Sequence, residues 1–245
     1  MTRTLCWFSC GAASAVATKL TIDRGWSGTE VLYCDTGSEH PDNERFIIEC
    51  EKWFGLPVTR LRSEKYHSIW EVFYKTRYLV GPTGARCTTE LKRNLRTAYQ
   101  QPGDLHIFGF TLDEKKRADE FEKNYPNIET DFPLISDKLT KNDCLNILKN
   151  MSIEIPEMYR LGYINNNCIG CVKGGMGYWN KIRIDFPGHF YSMSQMERHL
   201  GRTVLRERDG SPLWLDELDP HRGNYKSEPN DECSFMCSHV SGLIK

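Results

Sequence analysis

The feature that most limits what this chain can become is a short apolar run that breaks into small residues and resumes on a helical period. Thr4-Leu5-Cys6-Trp7-Phe8 reads as a buried strand and Ser9-Cys10-Gly11-Ala12-Ala13-Ser14 as a tight polar loop. From Ala12 to Arg24, Ala, Val and Leu recur on a helical period. Strand, loop and helix in this order aim backbone N–H groups and the positive end of a helix dipole at one point, the geometry that holds a phosphate. Small-residue turns also follow strands that bind nothing, so the loop alone leaves a plain strand-to-helix turn open.

The next segment supports the phosphate reading. Residues 30–34 form a second strand pattern ending in Asp35-Thr36-Gly37 and Glu39-His40-Pro41. A helix is expected over Asn43 to Phe54, with Phe46, Ile47, Cys50 and Phe54 on one face. An acidic residue at the end of a strand beside a phosphate loop can bind a ribose hydroxyl, hold a metal ion or orient the loop. A third strand is expected over Pro57–Leu61, with Arg60 and Arg62 at its end, and a fourth over Leu105–Phe110, followed by Lys115, Lys116 and Arg117. With Lys92 and Arg93, these cations suit a nucleotide carrying a phosphate or sulfate tail, although a charge run is usually only a solvated helix face.

Taken together, S-C-G-A-A-S and Y-C-D-T-G-S-E resemble the PP-loop ATP pyrophosphatase superfamily, and within it the phosphoadenosine phosphosulfate (PAPS) reductase family. That family has a loop close to S-G-G-x-D-S and a strand ending in D-T-G. Arg86-Cys87-Thr88-Thr89-Glu90-Leu91-Lys92 is similar to its cysteine-and-lysine segment, and Gly109-Phe110-Thr111-Leu112-Asp113-Glu114 with Arg117 to its Gly…Glu…Arg segment. Phe132-Pro133-Leu134-Ile135 with Thr140–Asp143, Tyr159–Tyr163 and Cys168-Ile169-Gly170-Cys171 follow in the family's order. The match spans residues 4 to 175.

The resemblance implies an α/β fold, a doubly wound and mostly parallel sheet of about five strands, with a PP-loop domain over 1–175 and a helical and hairpin extension over 176–245. It implies an adenine nucleotide (PAPS, adenylyl sulfate or ATP, the last with Mg²⁺) bound by Ser9, Cys10, Gly11, Ala12, Ala13, Ser14, Asp35, Thr36, Gly37, Lys92, Gly109, Glu114 and Arg117. Ala13 departs from the family, which has Asp before the final serine of the loop.

The chain has 245 residues, a net charge of −1 and ten cysteines. That charge gives no global field toward nucleic acid or an anionic membrane, and no apolar stretch approaches a bilayer-crossing length. The start could pass for a secretory signal, but its apolar part breaks at Ser9 and the same segment supplies the first strand, so a cytoplasmic protein is expected. In a reducing compartment, cysteines clustered in motifs suggest metal or redox chemistry. Cys6, Cys34, Cys50 and Cys144 fall in apolar patterns and read as core.

Cys87, Cys168, Cys171, Cys233 and Cys237 remain. Cys168 and Cys171 form a C-x-x-C pair, and a zinc or cluster site needs about four ligands. By resemblance to the adenylyl-sulfate reductases, a [4Fe–4S] cluster held by Cys87, Cys168, Cys171 and either Cys233 or Cys237 is expected; zinc and no metal are the alternatives. Glu232-Cys233 resembles the start of the sulfonucleotide reductases' catalytic E-C-G-x-H, with Ser234 in place of the glycine, so Cys233 and Cys237 compete for the roles of ligand and nucleophile.

Past residue 175, a helix from Gly177 to Phe186, a second from Phe190 to Leu200 and a hairpin around Asp209-Gly210 are expected. Tyr178, Trp179 and Phe190 with Lys181, Arg183 and Arg198 could stack a nucleic acid strand; the simpler reading packs the aromatics and solvates the bases. Asn224 to Asp231 is the most linker-like stretch.

Three functions are compatible with the sequence. The first is reduction of PAPS or adenylyl sulfate to sulfite through a tail cysteine, with a thioredoxin-like reductant. The second is ATP-dependent sulfur insertion into RNA or DNA. The third is a non-catalytic nucleotide-binding partner in a larger complex; an oligomer is compatible with all three.

Overall fold

The computed structural model describes residues 3–81 and 84–228. Cys233 and Cys237 lie outside them. The described residues form two compact units, one from 3–35, 40–62 and 95–166, the other from 36–39, 63–81, 84–94 and 167–228.

The first unit carries a five-stranded parallel sheet in the order Val58–Leu61, Thr29–Cys34, Thr4–Trp7, Leu105–Ile107, Glu129–Asp131. Cys6 pairs with Val31 on one side and Ile107 on the other. The central strand is wholly buried, as its apolar sequence requires, whereas the edge strands Val58–Leu61 and Glu129–Asp131 are partly exposed. The strand order reverses between Thr4–Trp7 and Leu105–Ile107, and in doubly wound sheets such a switch point opens the ligand crevice at the carboxyl ends.

Helix Ala12–Asp23 follows the first strand. Its first six residues are small or β-branched and buried, which lets it lie close to the sheet. Phe8, Phe46, Ile47, Phe54, Leu134 and Leu148 share the core it covers. Phe54 meets the Phe8 ring edge-on at 5.7 Å between centroids. Burial pushes the Cys6 thiol up to about 12 and raises Cys50 as well, which fits the core role expected of both. Helix Asn43–Phe54 matches its expected span.

Three strands are shorter than their sequences suggest, the first of them ending at Trp7 short of Phe8. Pro57 lacks an N–H and stays outside Val58–Leu61, and the fourth strand stops at Ile107 although Phe108 and Phe110 are buried. Glu129–Asp131 has no apolar signal and is held as a strand by pairing with Leu105–Ile107.

The second unit is mainly helical. It contains Ile69–Thr76, a π-helical turn at Thr89–Arg93, Met176–Asp185, Pro187–Leu200 and a hairpin of Leu205–Arg206 with Pro212–Leu213. Ser68 caps the first helix by accepting the Glu71 N–H at 3.2 Å. Tyr178 and Trp179 are 6% and 0% exposed, so they are packed and do not form a stacking face. The neighbouring bases are exposed or half-buried, and two of them are also tied to the hairpin side of the unit. Arg183 donates to the Leu215 and Leu218 carbonyls, and Arg198 pairs with Asp216 and Glu217. Among the described residues no helix is long and apolar enough to cross a membrane.

Candidate functional site

In the first unit, the loop between the central strand and helix Ala12–Asp23 is organised by one hydroxyl. Ser14 Oγ accepts the N–H groups of Ser9 and Gly11 at 3.0 and 3.3 Å and donates to the Gly11 carbonyl at 3.0 Å. The Ser9 hydroxyl adds a fourth bond at 3.0 Å. Between these serines, Cys10 adopts φ 62°, the left-handed region, at a cost of roughly 1–2 kcal/mol for a residue with a Cβ.

Two buried asparagines hold that conformation. Asn166 Nδ2 donates to the Cys10 carbonyl at 2.6 Å and to Asn43 Oδ1 at 2.8 Å, and the Cys10 thiol lies 3.6 Å from the Asn43 carbonyl. The asparagines are 7% and 3% exposed. Asn43 Nδ2 and Asn166 Oδ1 find no hydrogen-bond partner among the described residues, so the pair retains a buried donor and a buried acceptor. The first amide of the helix, Ala12 N–H, donates to the Tyr159 hydroxyl at 3.4 Å. Lys141 stands 5.4 Å from the Tyr159 ring centroid and donates to Asn165.

Gly109 is where the fourth strand's continuation meets this loop. A Cβ there would lie 2.6 Å from Ser14 Cα and 2.7 Å from Ser14 N, distances that only glycine avoids. Beyond it Glu114 accepts the Thr111 N–H at 3.1 Å and pairs with Arg117, whose guanidinium lies 5.0 Å from the Phe110 ring centroid. Asp35, at the end of the second strand, accepts both Nε and Nη2 of Arg62, at 2.7 and 2.6 Å. The expected nucleotide residues Ser9–Ser14, Asp35, Gly109, Glu114 and Arg117 all belong to this unit.

Thr36, Gly37, Lys92, Cys87, Cys168 and Cys171 belong to the second unit. There the segment 36–39 is stitched to the C-x-x-C loop. The Thr36 hydroxyl lies 3.0 Å from Cys168 Sγ, and Ile169 N–H donates to the Ser38 carbonyl at 2.9 Å. Gly37 has φ 63°, and a Cβ on it would run into the His67 carbonyl. The Tyr178 hydroxyl closes the cysteine loop by accepting the Gly170 and Cys171 N–H groups at 3.1 and 2.9 Å and donating to the Cys168 carbonyl at 3.3 Å. Lys92 lies in the π-helical turn, and Cys87 in the short helix Arg86–Thr88.

Glu228 accepts the N–H groups of Gly175, Gly177 and Tyr178 at 3.1, 2.6 and 3.2 Å, placing a carboxylate on the N-terminus of helix Met176–Asp185. Desolvation raises its pKa against the opposing pull of those bonds. The stretch read as a linker is therefore anchored as far as Glu228.

Cys168 is buried, while Cys87 and Cys171 are half-buried. Among the described residues no three His, Cys, Asp or Glu side chains stand close enough to hold a metal ion. The described donors thus do not by themselves assemble a cluster or zinc site.

The sequence pattern did not single out Asn43, Tyr159 or Asn166 as loop-holding groups. Asn166 sits in the run Asn165-Asn166-Asn167, where asparagine is also an ordinary loop residue, and Asn43 reads only as a helix start.

Among solved structures, the U34-tRNA thiolase NcsA from Methanococcus maripaludis with its [4Fe–4S] cluster is similar over 82% of this chain and 72% of that chain, with a TM-score of 0.45 and 10% identity. No curated protein matches the chain in sequence. The model of the phosphoadenosine phosphosulfate reductase domain matches residues 3–174, a span that holds the phosphate loop, Asp35, Gly109, Asn166 and the C-x-x-C pair. The chain belongs to the phosphoadenosine phosphosulfate reductase domain family.

Proposed function

We propose that this chain is an ATP-dependent sulfur-insertion enzyme that activates an oxygen of a nucleic acid for replacement by sulfur. The observation that carries the reading is the loop Ser9–Ser14 at the switch point of the parallel sheet, built around Ser14 and held by Asn166. A helix N-terminus behind a tight loop suits the phosphates of ATP, accompanied by Mg²⁺. Asp35 is suited to the ribose or the metal ion, with Arg62 fixing its orientation.

The chemistry balances when the thiols are counted. A carbonyl oxygen of the nucleic acid attacks the α-phosphorus of ATP and pyrophosphate leaves. A persulfide sulfur, moved onto a cysteine of the chain by thiol exchange with an external persulfide donor, then adds to the activated carbon and AMP leaves with the original oxygen. A second thiol attacks the remaining S–S bond and frees the thiolated product, and an external thiol reductant reopens the disulfide this leaves. Cys168 and Cys171 are candidates to pass that sulfur on, since Thr36 and Tyr178 already hold their loop in one conformation. The nucleotide and sulfur-handling roles of Ser9–Ser14, Asp35, Thr36, Gly37, Lys92, Gly109, Glu114, Arg117, Cys87, Cys168 and Cys171 are part of this proposal. So is a [4Fe–4S] cluster, which would need a donor beyond the described cysteines.

Reduction of PAPS or adenylyl sulfate is the second reading. Glu232-Cys233 favours it, and Ser234 in place of the glycine of E-C-G-x-H weighs against it. Turnover separates the two. Pyrophosphate and AMP from ATP, with sulfur appearing in an added RNA or DNA, support insertion. Sulfite from PAPS with a thioredoxin-like reductant, and no pyrophosphate from ATP, would move the assignment to reduction. Iron and acid-labile sulfide measured on protein purified without oxygen test the cluster separately.

A further inference from the structure

In the second unit an open groove of about 480 Å³ is lined by Trp70, Gly188, His189, Ser192 and Met196. Trp70 comes from helix Ile69–Thr76 and the other four from one end and one face of helix Pro187–Leu200, at a spacing that puts 189, 192 and 196 in line. The Trp70 and His189 rings stand 6.1 Å apart, tilted by 46°. A second ring pair, Tyr74 with His199, is stacked at 5.3 Å and 17°, with Tyr74 58% exposed. Arg202 lies 6.0 Å from the Tyr78 ring centroid.

We propose that the groove between Trp70 and the Gly188–Met196 face is a stacking site for a base of single-stranded nucleic acid. An indole wall, an imidazole, a thioether and a hydroxyl offer a flat ring two apolar faces and polar edges, the combination that binds bases without requiring one sequence. The surrounding charge is complementary to a phosphate backbone. From 68 to 78 and 187 to 202 the charged residues are Lys75, Arg77, Arg198 and Arg202 against Glu71 and Glu197, and Glu197 is fully buried. Arg198 is committed to Asp216 and Glu217 and Lys75 to Glu71, which leaves Arg77 and Arg202, both exposed and just past the C-terminal ends of the two helices that line the groove, as cations available to a phosphate backbone.

The position of Trp70 argues for a substrate strand over an incidental one. Its ring edge lies 3.6 Å from the place a Cβ would take on Gly170, in the middle of Cys168-Ile169-Gly170-Cys171. A base held against Trp70 is therefore one side chain away from the cysteine loop. This inference deepens the sulfur-insertion reading and rests on it for the word substrate; the groove itself does not.

The test uses the full chain and a fluorescein-labelled single-stranded RNA of about 12 nucleotides, longer than one stacking site, followed by anisotropy across a salt series. Trp70→Ala removes the platform. Gly188→Phe fills the groove at a position where an added Cβ meets nothing within 4 Å, so it keeps the test valid if Trp70→Ala fails to fold. Each is expected to weaken binding roughly tenfold, within the range for loss of one stacked base, with the salt slope unchanged. Arg77→Ala with Arg202→Ala is expected to flatten the slope by about 0.7 per lost phosphate contact.

Wild-type affinity in folded Gly188→Phe overturns the proposal, as does an RNA that does not bind the wild type while an acidic peptide of the same length does. Pyrophosphate release from ATP is measured on the same preparations. Turnover of ATP with groove variants that bind RNA normally overturns the groove alone. RNA binding that depends on Trp70, in a chain that does not use ATP, supports the groove and overturns the insertion reading.

Discussion

The Thr36 hydroxyl lies 3.0 Å from the Cys168 sulfur, and both are buried, at 2% and 7% exposure. Thr36 belongs to the loop after the second strand and Cys168 to the C-x-x-C pair, so this contact ties two motifs 132 residues apart. A thiolate at Cys168 would gain a hydroxyl donor here, and the thiolate is the reactive form. Replacing Thr36 by Val keeps the shape and removes the donor. Alkylation of Cys168 by iodoacetamide, followed by mass spectrometry, should slow roughly fivefold, the equivalent of about 1 kcal/mol for one hydrogen bond. An unchanged rate in folded protein would show that the hydroxyl does not donate to the thiolate.

Asn166→Ala leaves the Cys10 carbonyl and Asn43 Oδ1 without the donor they share. A buried group left unpaired costs about 1–3 kcal/mol, and here the cost falls on the left-handed turn of the loop. Adenine nucleotide binding, measured by calorimetry, should weaken about tenfold or more, while the sheet survives. Binding that is unchanged would remove Asn166 from the loop's support.

Tyr178→Phe deletes the hydroxyl that takes two amides of the cysteine loop and bonds the Cys168 carbonyl. Thermal unfolding should show a loss of about 1–3 kcal/mol, and amide exchange at Gly170 and Cys171 should quicken. Protection that stays at the wild-type level would mean that other bonds hold the loop.

The two units should respond to pH with opposite signs. Glu197 is fully buried and accepts the Val204 and Leu215 N–H groups at 2.6 and 2.8 Å. Desolvation nevertheless pushes it up to about 7; Asp216 adds to the rise, and the two amides and Arg198 oppose it. A raised carboxyl binds more protons folded than unfolded, so its contribution is complete below about 4.5 and is lost as pH rises through about 7. His106 in the first unit is lowered to about 4 by burial, with Arg96 adding to the fall, and its Nδ1 accepts the Trp7 indole N–H at 2.9 Å. Its contribution is complete above about 6.5 and is lost as pH falls toward 4. Hydrogen exchange corrected for intrinsic rates should show helix Pro187–Leu200 better protected at pH 6 than at pH 8, and the strand Leu105–Ile107 better protected at pH 7 than at pH 5. The same sign in both elements would contradict this account.

Much of the first unit was legible in the sequence because its signals are local. An apolar strand, a loop of small residues and a helix of alanines and valines leave few alternatives over 4–24, and Phe46, Ile47, Cys50 and Phe54 mark the face of the second helix. The edge strand Glu129–Asp131 was not legible, since three polar residues become a strand only by pairing with Leu105–Ile107. The clamp of Asn43 and Asn166 was hidden for a related reason: the partners are 123 residues apart, and neither has a spacing to betray it. Tyr178 and Trp179 drew attention as aromatics beside cations, but burial claimed both, and the aromatic groove was built instead from Trp70 and His189, which no motif marked.

Gly109→Ala should damage the phosphate loop directly. Its Cβ would meet Ser14 Cα at 2.6 Å, and overpacking of backbone on backbone costs about 1–3 kcal/mol. Nucleotide affinity should fall with the melting temperature. Gly188→Ala, with open space around the new methyl, should leave both unchanged. Equal behaviour of the two variants would dismiss the close approach.

That approach also restricts the descendants this chain can have. Ser14 cannot shift to admit a side chain at 109 without breaking the four bonds its hydroxyl makes, and a larger residue at 109 cannot appear unless the loop has already moved. Neither change is viable as a first step, so the two positions are locked to each other through inheritance. New specificity has to arise elsewhere, in side chains that surround the loop without passing between strand and helix.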